Sequence, residues 1–376
     1  MLERSVGRLR GVGRHHGSAL RLEPFSKDGE HVIEGVLWTV DCDEWYPIIA
    51  GVPCFLSEAL QPDLGEFEAR HRLPTREKGI EVATEVTRTV ATFTDKWRRF
   101  RNYGLEPEHR DFLFGWLCKK LGLDGMDDLR AFYQKRRQIL EVGPGSGFNA
   151  RFMAENCPGE IYALDISQAA LTSYENTQSL ANCTVVQADL MDAPFEDSTF
   201  DLIVADGVLH HTPDTRDAVS ALYRKLLPDG EFFFYVYKRM GALRQFADRT
   251  IREQFTKLSL EDCYAACEAI TELGRELSRL DAKITLKSPI PALDIPAGTH
   301  DVQRFVYYNI LKCFWNKSFD FETNNMVNFD WYHPQHAWQH SREEVEAWLR
   351  DLGATEIRFN DANPNGISVI VRKPRV

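Results

Sequence analysis

Three glycines, Gly143, Gly145 and Gly147, form a tight G-x-G-x-G loop in the run QILEVGPGSGFNARFMAE. Residues 139–142 before it, Ile-Leu-Glu-Val, read as a buried strand, and a helix is expected to open near Phe148. Glycines at such a junction let the backbone approach a ligand closely, and the helix N-terminus favours negative charge. The loop alone is a weak signal, because dinucleotide sites use a related G-x-G-x-x-G. Its context sharpens it. The next strand, EIYALDIS, ends in Asp165, 18 residues beyond Gly147. A carboxylate at the end of a second strand can accept two hydrogen bonds from ribose hydroxyls. The third strand, CTVVQADL, brings Asp189 to the same edge, where an acid suits the exocyclic amine of adenine.

Groups able to move a proton cluster in two further places. His210 and His211 follow the fourth strand, FDLIVADGVLHH, at the carboxyl edge where parallel sheets bind ligands. Histidine is the usual base near neutral pH, although either ring can also serve packing. The second cluster is Trp331, Tyr332, His333, His336 and His340, in a segment that reads as irregular. It offers His333 as a base and Tyr332 as part of a roof over the end of strand five. Aromatic packing explains Trp331 and Trp338. Tyr235 and Tyr237 end the fifth strand, EFFFYVY, and alternation puts both on one face, for substrate or for the core. Phe93 and Trp97 are four apart on a helix and share a face. They read as a lid that excludes water or as ordinary helix packing.

The elements that must position these groups divide the chain into five segments. Residues 1–62 form a small β-rich module, with turn signals at Pro47, Gly51 and Pro53. Residues 63–137 form a helical cap. Residues 138–238 alternate strand and helix, as in a parallel sheet. Residues 239–330 form a helical insertion around EDCYAACEAITELGRELSRL, followed by the proline-punctuated SPIPALDIPAG. Residues 331–376 complete the sheet, with a Ser-x-x-Glu capping box at Ser341 and Glu344 before an amphipathic helix.

Taken in order, ILEVGPGSGF, ALDIS, ADLMDAPFEDSTFDLIVADGVLHHTPD and LLPDGEFFFYVY resemble the successive motifs of class I S-adenosylmethionine (SAM)-dependent methyltransferases. The resemblance covers about a hundred residues. It implies an α/β, Rossmann-like fold with a seven-stranded, mostly parallel sheet and a reversed last hairpin. It places Glu141 and Gly143 near the methionine part of SAM and Asp165 on the ribose. Ile166, Asp189 and Leu190 flank the adenine, and Asp206 and Gly207 lie close to the sulfonium. His211 matches a histidine common in these enzymes. Asp229 departs from the family's Leu-x-Pro-Gly-Gly turn. The flanks resemble a bacterial group with a zinc-ribbon-like (Trm112-like) start, here YPIIAGVPCFL, a Phe-x-x-x-Trp signature at Phe93 and Trp97, and an Asp-Trp-Tyr-x-Pro signature, here DWYHP. The ribbon is degenerate. Only Cys42 stands at a ligand position and Thr39 replaces its partner, whereas tetrahedral zinc needs four ligands. No metal is therefore expected.

Composition narrows the function. The net charge is −11, and nucleic-acid binders need lysine and arginine to displace phosphate counterions. Arg98, Arg99 and Arg101 form a modest basic cluster that a solvated helix face explains as well, so no nucleic acid is expected. No apolar run is long enough to span a membrane. Residues 4–21 read as a frayed basic arm rather than a targeting helix. The 8 scattered cysteines read as reduced thiols of a cytoplasmic protein, with Cys263 and Cys267 packing rather than holding metal. The expectation is methyl transfer to a small-molecule acceptor, at O or N, in sugar or natural-product metabolism, with S-adenosylhomocysteine (SAH) as product and a homodimer as one arrangement. The rivals are a methyltransferase of RNA or protein and a SAM-binding protein with other chemistry.

Overall fold

Strand-forming residues near the N-terminus build an antiparallel sheet of β1 (Leu20–Asp28), β2 (His31–Thr39), β3 (Trp45–Ile49) and β4 (Val52–Pro53). A computed structural model of the chain describes residues 1–40, 44–61, 63–75, 82–360 and 364–375. Cys42 lies outside them. Phe55 N donates to Gln187 O at 2.8 Å, which ties this small sheet to the edge of the large one. Residues 4–21 are folded rather than frayed. Glu3–Arg8 form a 3-10 turn, and Leu2 and Leu9 are buried. Arg10 pairs with Glu196 at 2.8 Å. Leu2, Val6, Leu9 and Val12 recur between the charged residues at spacings of three or four, and burying them holds the arm down.

Four helices follow, α1 (Gly65–His71), α2 (Thr84–Arg99), α3 (Pro107–Leu121) and α4 (Met126–Gln134). Proline opens α3 and Gly122 closes it at φ 70°, the positions where each residue costs least. The core then runs β5 (Gln138–Val142), α5 (Phe148–Asn156), β6 (Glu160–Asp165), α6 (Ala169–Thr177), β7 (Cys183–Gln187), β8 (Phe200–Asp206), α7 (Thr215–Lys225) and β9 (Leu226–Tyr237). The insertion contributes α8 (Ala242–Phe255), α9 (Leu260–Arg279), a hairpin of β10 (Lys283–Leu286) and β11 (Gly298–Asp301), α10 (Val302–Asn309) and α11 (Phe321–Tyr332). The chain closes with α12 (Arg342–Asp351), β12 (Glu356–Asn360) and β13 (Gly366–Arg372).

The large sheet has the order β12-β13-β9-β8-β5-β6-β7. Only β13 is reversed, running antiparallel to both β9 and β12. Strand order changes direction between β5 and β8, and parallel sheets bind ligands at the carboxyl edge of such a crossing. Helices cover both faces, so the strands read as near-continuous apolar runs. Ile139, Leu140, Leu202, Ile203, Phe232 and Phe233 are all fully buried. Asp229, the departure from the family's glycine turn, adopts φ 66° and is held by Arg375. A left-handed residue is rare outside glycine, and aspartate tolerates it better than most.

Trp331 and Tyr332 lie in the last turn of α11 rather than in an irregular segment. Asp320 caps that helix, accepting from Thr323 N at 2.7 Å. Asn324, Asn325 and Asn328 are buried there and hydrogen-bonded, which erases the apolar period a helix usually shows. The capping box on α12 is complete, with Ser341 Oγ accepting from Glu344 N and Glu344 accepting from Ser341 N. Ser341→Ala is expected to cost about 1 kcal/mol of stability, read as a lower denaturant midpoint at unchanged slope.

Candidate active site at the carboxyl edge

The loop between β5 and α5 holds its glycines at φ 68°, 59° and 81°. Side chains close in on it from two directions. A Cβ on Gly143 would lie 2.3 Å from Val208, and one on Gly145 would lie 2.5 Å from Trp97. Trp97 therefore sits directly on the glycine loop. One turn earlier on α2, Phe93 meets the His211 ring edge-on at 4.8 Å. The shared face expected for Phe93 and Trp97 is thus turned onto the carboxyl edge.

Four acids line that edge. Glu141 is buried; its Oε1 accepts from Asn149 Nδ2 at 2.9 Å, and its Oε2 has no partner. Burial pushes its pKa up to about 7, against the pull of the Asn149 bond, with Asp206 adding repulsion. Asp165 ends β6, and its Oδ1 accepts from Ser167 N and Ser167 Oγ, both at 2.8 Å. Burial raises it to about 6, opposed by those bonds. Ile166 beside it is half-buried. Asp189 caps the turn Leu190–Asp192, accepting from Met191 N at 2.9 Å, and burial raises its pKa. Leu190 is buried in the core beside it. Asp206 ends β8 and pairs with Lys120 of α3. Gly207 follows at φ 82°, where a Cβ would meet no atom within 4 Å.

The histidines differ sharply. His210 is wholly buried, stacks on Tyr237 at 3.7 Å, and has no partner on either ring nitrogen. Burial drives its pKa well below the usual range. His211 Nδ1 donates to the His336 carbonyl at 2.7 Å. A carbonyl only accepts, so the proton of the neutral ring sits on Nδ1 and the lone pair on Nε2. Burial lowers His211 to about 4, opposed by that bond. His333 is clamped between helices: Nδ1 meets Thr92 Oγ1 of α2 at 2.7 Å and Nε2 meets Leu258 O at 3.4 Å. His340 Nε2 meets Thr215 Oγ1 at 3.0 Å. Tyr235 and Tyr237 share a face, their rings 6.3 Å apart. Tyr332 packs on Phe255 within the insertion and donates to Lys312 O at 2.8 Å. Trp338 is 47% exposed, although its Nε1 still donates to Thr212 O.

Sequence reasoning missed Lys120. Its ammonium neutralises Asp206 and lies 5.0 Å from the Tyr235 ring centre. The doubled lysine near the end of α3 was the only available signal, and a solvated helix end explains such a pair equally well. Arg98 and Arg99 both pair with Asp95, and Arg101 pairs with Glu175, so this basic cluster is locally compensated. Two surface clefts, one by Glu268 and Arg275 and one by Asp229 and Arg372, are lined by none of these site residues. Among the described residues, no group of three or more His, Cys, Asp or Glu is disposed to hold a metal, and no helix is long and apolar enough to cross a membrane.

Residues 140–234 match the family model for a methyltransferase domain. The chain is 25% identical over 173 residues to phosphoethanolamine N-methyltransferase 2 of Caenorhabditis elegans, covering 43% of this chain and 38% of that relative. It is 32% identical over 147 residues to the human mitochondrial arginine-hydroxylase NDUFAF5, covering 39% and 41% respectively. The chain thus spans well under two thirds of those relatives' lengths. Among solved structures, the N-methyltransferase NodS of Bradyrhizobium japonicum, in complex with SAH, aligns over 76% of this chain and 99% of its own, at 14% identity and TM-score 0.39.

Residues 140–234 are similar to a methyltransferase domain, and the donor set at the carboxyl edge fits the SAM that the sequence motifs imply. SAM presents an ammonium, a ribose diol and an adenine amine, all donors. The edge presents three carboxylates, Glu141, Asp165 and Asp189, and Glu141 Oε2 is an orphaned buried acceptor, which native structures seldom leave without a purpose. Gly145→Ala is expected to weaken SAM binding at least tenfold in calorimetry. The new methyl collides with Trp97, and the left-handed backbone adds roughly 1–2 kcal/mol of strain.

Proposed function

We propose that this protein is a SAM-dependent methyltransferase that methylates a small-molecule acceptor at oxygen or nitrogen, with His211 as the base. The observation that carries this reading is the His211 tautomer, fixed against Phe93 one turn from the Trp97 that meets the glycine loop, with its Nε2 lone pair free of the His336 bond. Bound SAM supplies an electrophilic methyl group on a sulfonium. The chain's own part is to hold the acceptor in line, worth roughly 7–11 kcal/mol in favourable cases, and to take its proton at His211 Nε2. Phe93 and Trp97 form a lid that keeps water out. His210, Tyr235 and Tyr237 line the acceptor side, while His333 positions α2 against α11.

In the same reading the chain divides at residues 62, 137 and 238, and the boundary expected at 330 moves past the end of α11 at Tyr332, because a cut at 330 would fall inside that helix. The first segment is a degenerate zinc-ribbon-like module, and the insertion is a cap on the acceptor. The acid-rich edge and the compensated arginines favour a small acceptor over nucleic acid. Screening amines and alcohols with methyl-labelled SAM tests the reading. Label in a small product supports it, and label only in RNA or protein overturns it. The similarity to a relative named as a hydroxylase favours a second reading, cofactor binding without methyl transfer. Failure to release SAH with any acceptor would select it.

A further inference from the structure

The insertion and the end of α11 leave buried hydrogen-bond donors without acceptors close to His210 and the proposed base His211. Lys312 is 5% exposed. Its ammonium makes no hydrogen bond or ion pair among the described residues and lies 3.9 Å from the Trp331 ring centre. Arg244 is fully buried; Asp248 holds its Nε and the Tyr307 carbonyl its Nη1, but Nη2 has no partner. Its guanidinium lies 5.4 Å from the same Trp331 ring, and Trp331 Nε1 is buried and unpartnered as well. Trp331 in turn packs on Tyr237 at 4.3 Å, and Tyr237 stacks on His210. Two orphaned donors, Arg244 Nη2 and Trp331 Nε1, and the Lys312 ammonium on the Trp331 ring thus gather one aromatic layer away from the proposed methyl-transfer site.

Charge counting gives the same answer. Lys96 is neutralised by Asp330 and Arg244 by Asp248, while Arg252 is spent on the carbonyls of Trp331, Pro334 and Gln335. Among the described residues Lys312 has no such hydrogen-bonded or ion-pair partner. An uncompensated buried cation is costly unless something pairs with it. Burial lowers the Lys312 pKa to about 7, and Asp330 opposes that shift.

We infer that Lys312, Arg244 and Trp331 form an anion subsite for a carboxylate or phosphate group of the acceptor. The inference rests on the functional reading above and makes the acceptor an acid. The insertion then has a chemical task, anchoring the charged end of the acceptor while His211 addresses its nucleophile.

The test is equilibrium dialysis of labelled acetate and labelled inorganic phosphate against the full chain, with and without saturating SAH. Saturable binding of one of the two, one per chain, is expected, and which one binds identifies the anion. Lys312→Met should weaken it at least tenfold and Trp331→Phe several-fold, with SAH affinity kept. Absence of saturable binding of either anion by the wild type overturns the inference. So does unchanged binding by the folded Lys312→Met variant. If that variant does not fold, Trp331→Phe decides by the same criterion. Failure of the wild type to bind SAH would strike the functional reading instead, because the anion is also measured on the protein alone.

Discussion

His211→Ala should lower kcat by about a hundredfold, near the weak end of the 10²–10⁴ range for losing a positioned base, while SAM affinity stays within a few-fold. The separation of the two effects is the point. His211 touches Phe93 and the His336 carbonyl, not the acids that receive the cofactor. The effect sits at the low end because burial holds the ring near pKa 4, which makes a weak base at neutral pH. The same shift fixes the pH profile. The free base is the active form, so activity should fall as pH drops through about 4, not through the usual histidine value of 6.5. Steady-state rates from pH 4 to 8 with saturating SAM check both statements. A hundredfold loss from His333→Ala with none from His211→Ala would reassign the base.

The parts of this fold that were legible in the sequence are those where one local rule decides the outcome. The strands of the core are buried on both faces, so they appear as apolar runs ending at Val142, Asp165 and Asp206. The α12 cap is spelled out by Ser341 and Glu344. Other features depend on residues far apart in the chain. His210 and His211 are adjacent and alike in sequence; only the carbonyl of His336, 125 residues away, separates their roles. Lys120 and Asp206 meet across 86 residues. α11 was hidden because its buried asparagines satisfy one another and their neighbours, a pattern that no hydrophobic period reveals. The N-terminal arm reads as basic in sequence, yet the apolar Leu2, Val6, Leu9 and Val12 between its arginines pack it against the core.

The cofactor assignment depends most on Asp165. Its carboxylate closes β6, is buried, and is oriented by Ser167 N and Ser167 Oγ. An acceptor fixed in this way loses little freedom on meeting a ribose diol. Each charged hydrogen bond to it contributes about 1.5–3 kcal/mol. Removing the carboxylate should therefore weaken SAM binding by about 3 kcal/mol, or roughly a hundredfold. The carboxylate must be ionised to accept both bonds. Because burial raises it to about 6, affinity should also decline as pH falls through that value.

Calorimetric titration of SAM into the wild type and Asp165→Ala tests the central claim most directly. Micromolar, one-to-one binding by the wild type that weakens about a hundredfold in the variant is the predicted result. A folded wild type that ignores SAM, or that binds NADH tightly in its place, would contradict the account.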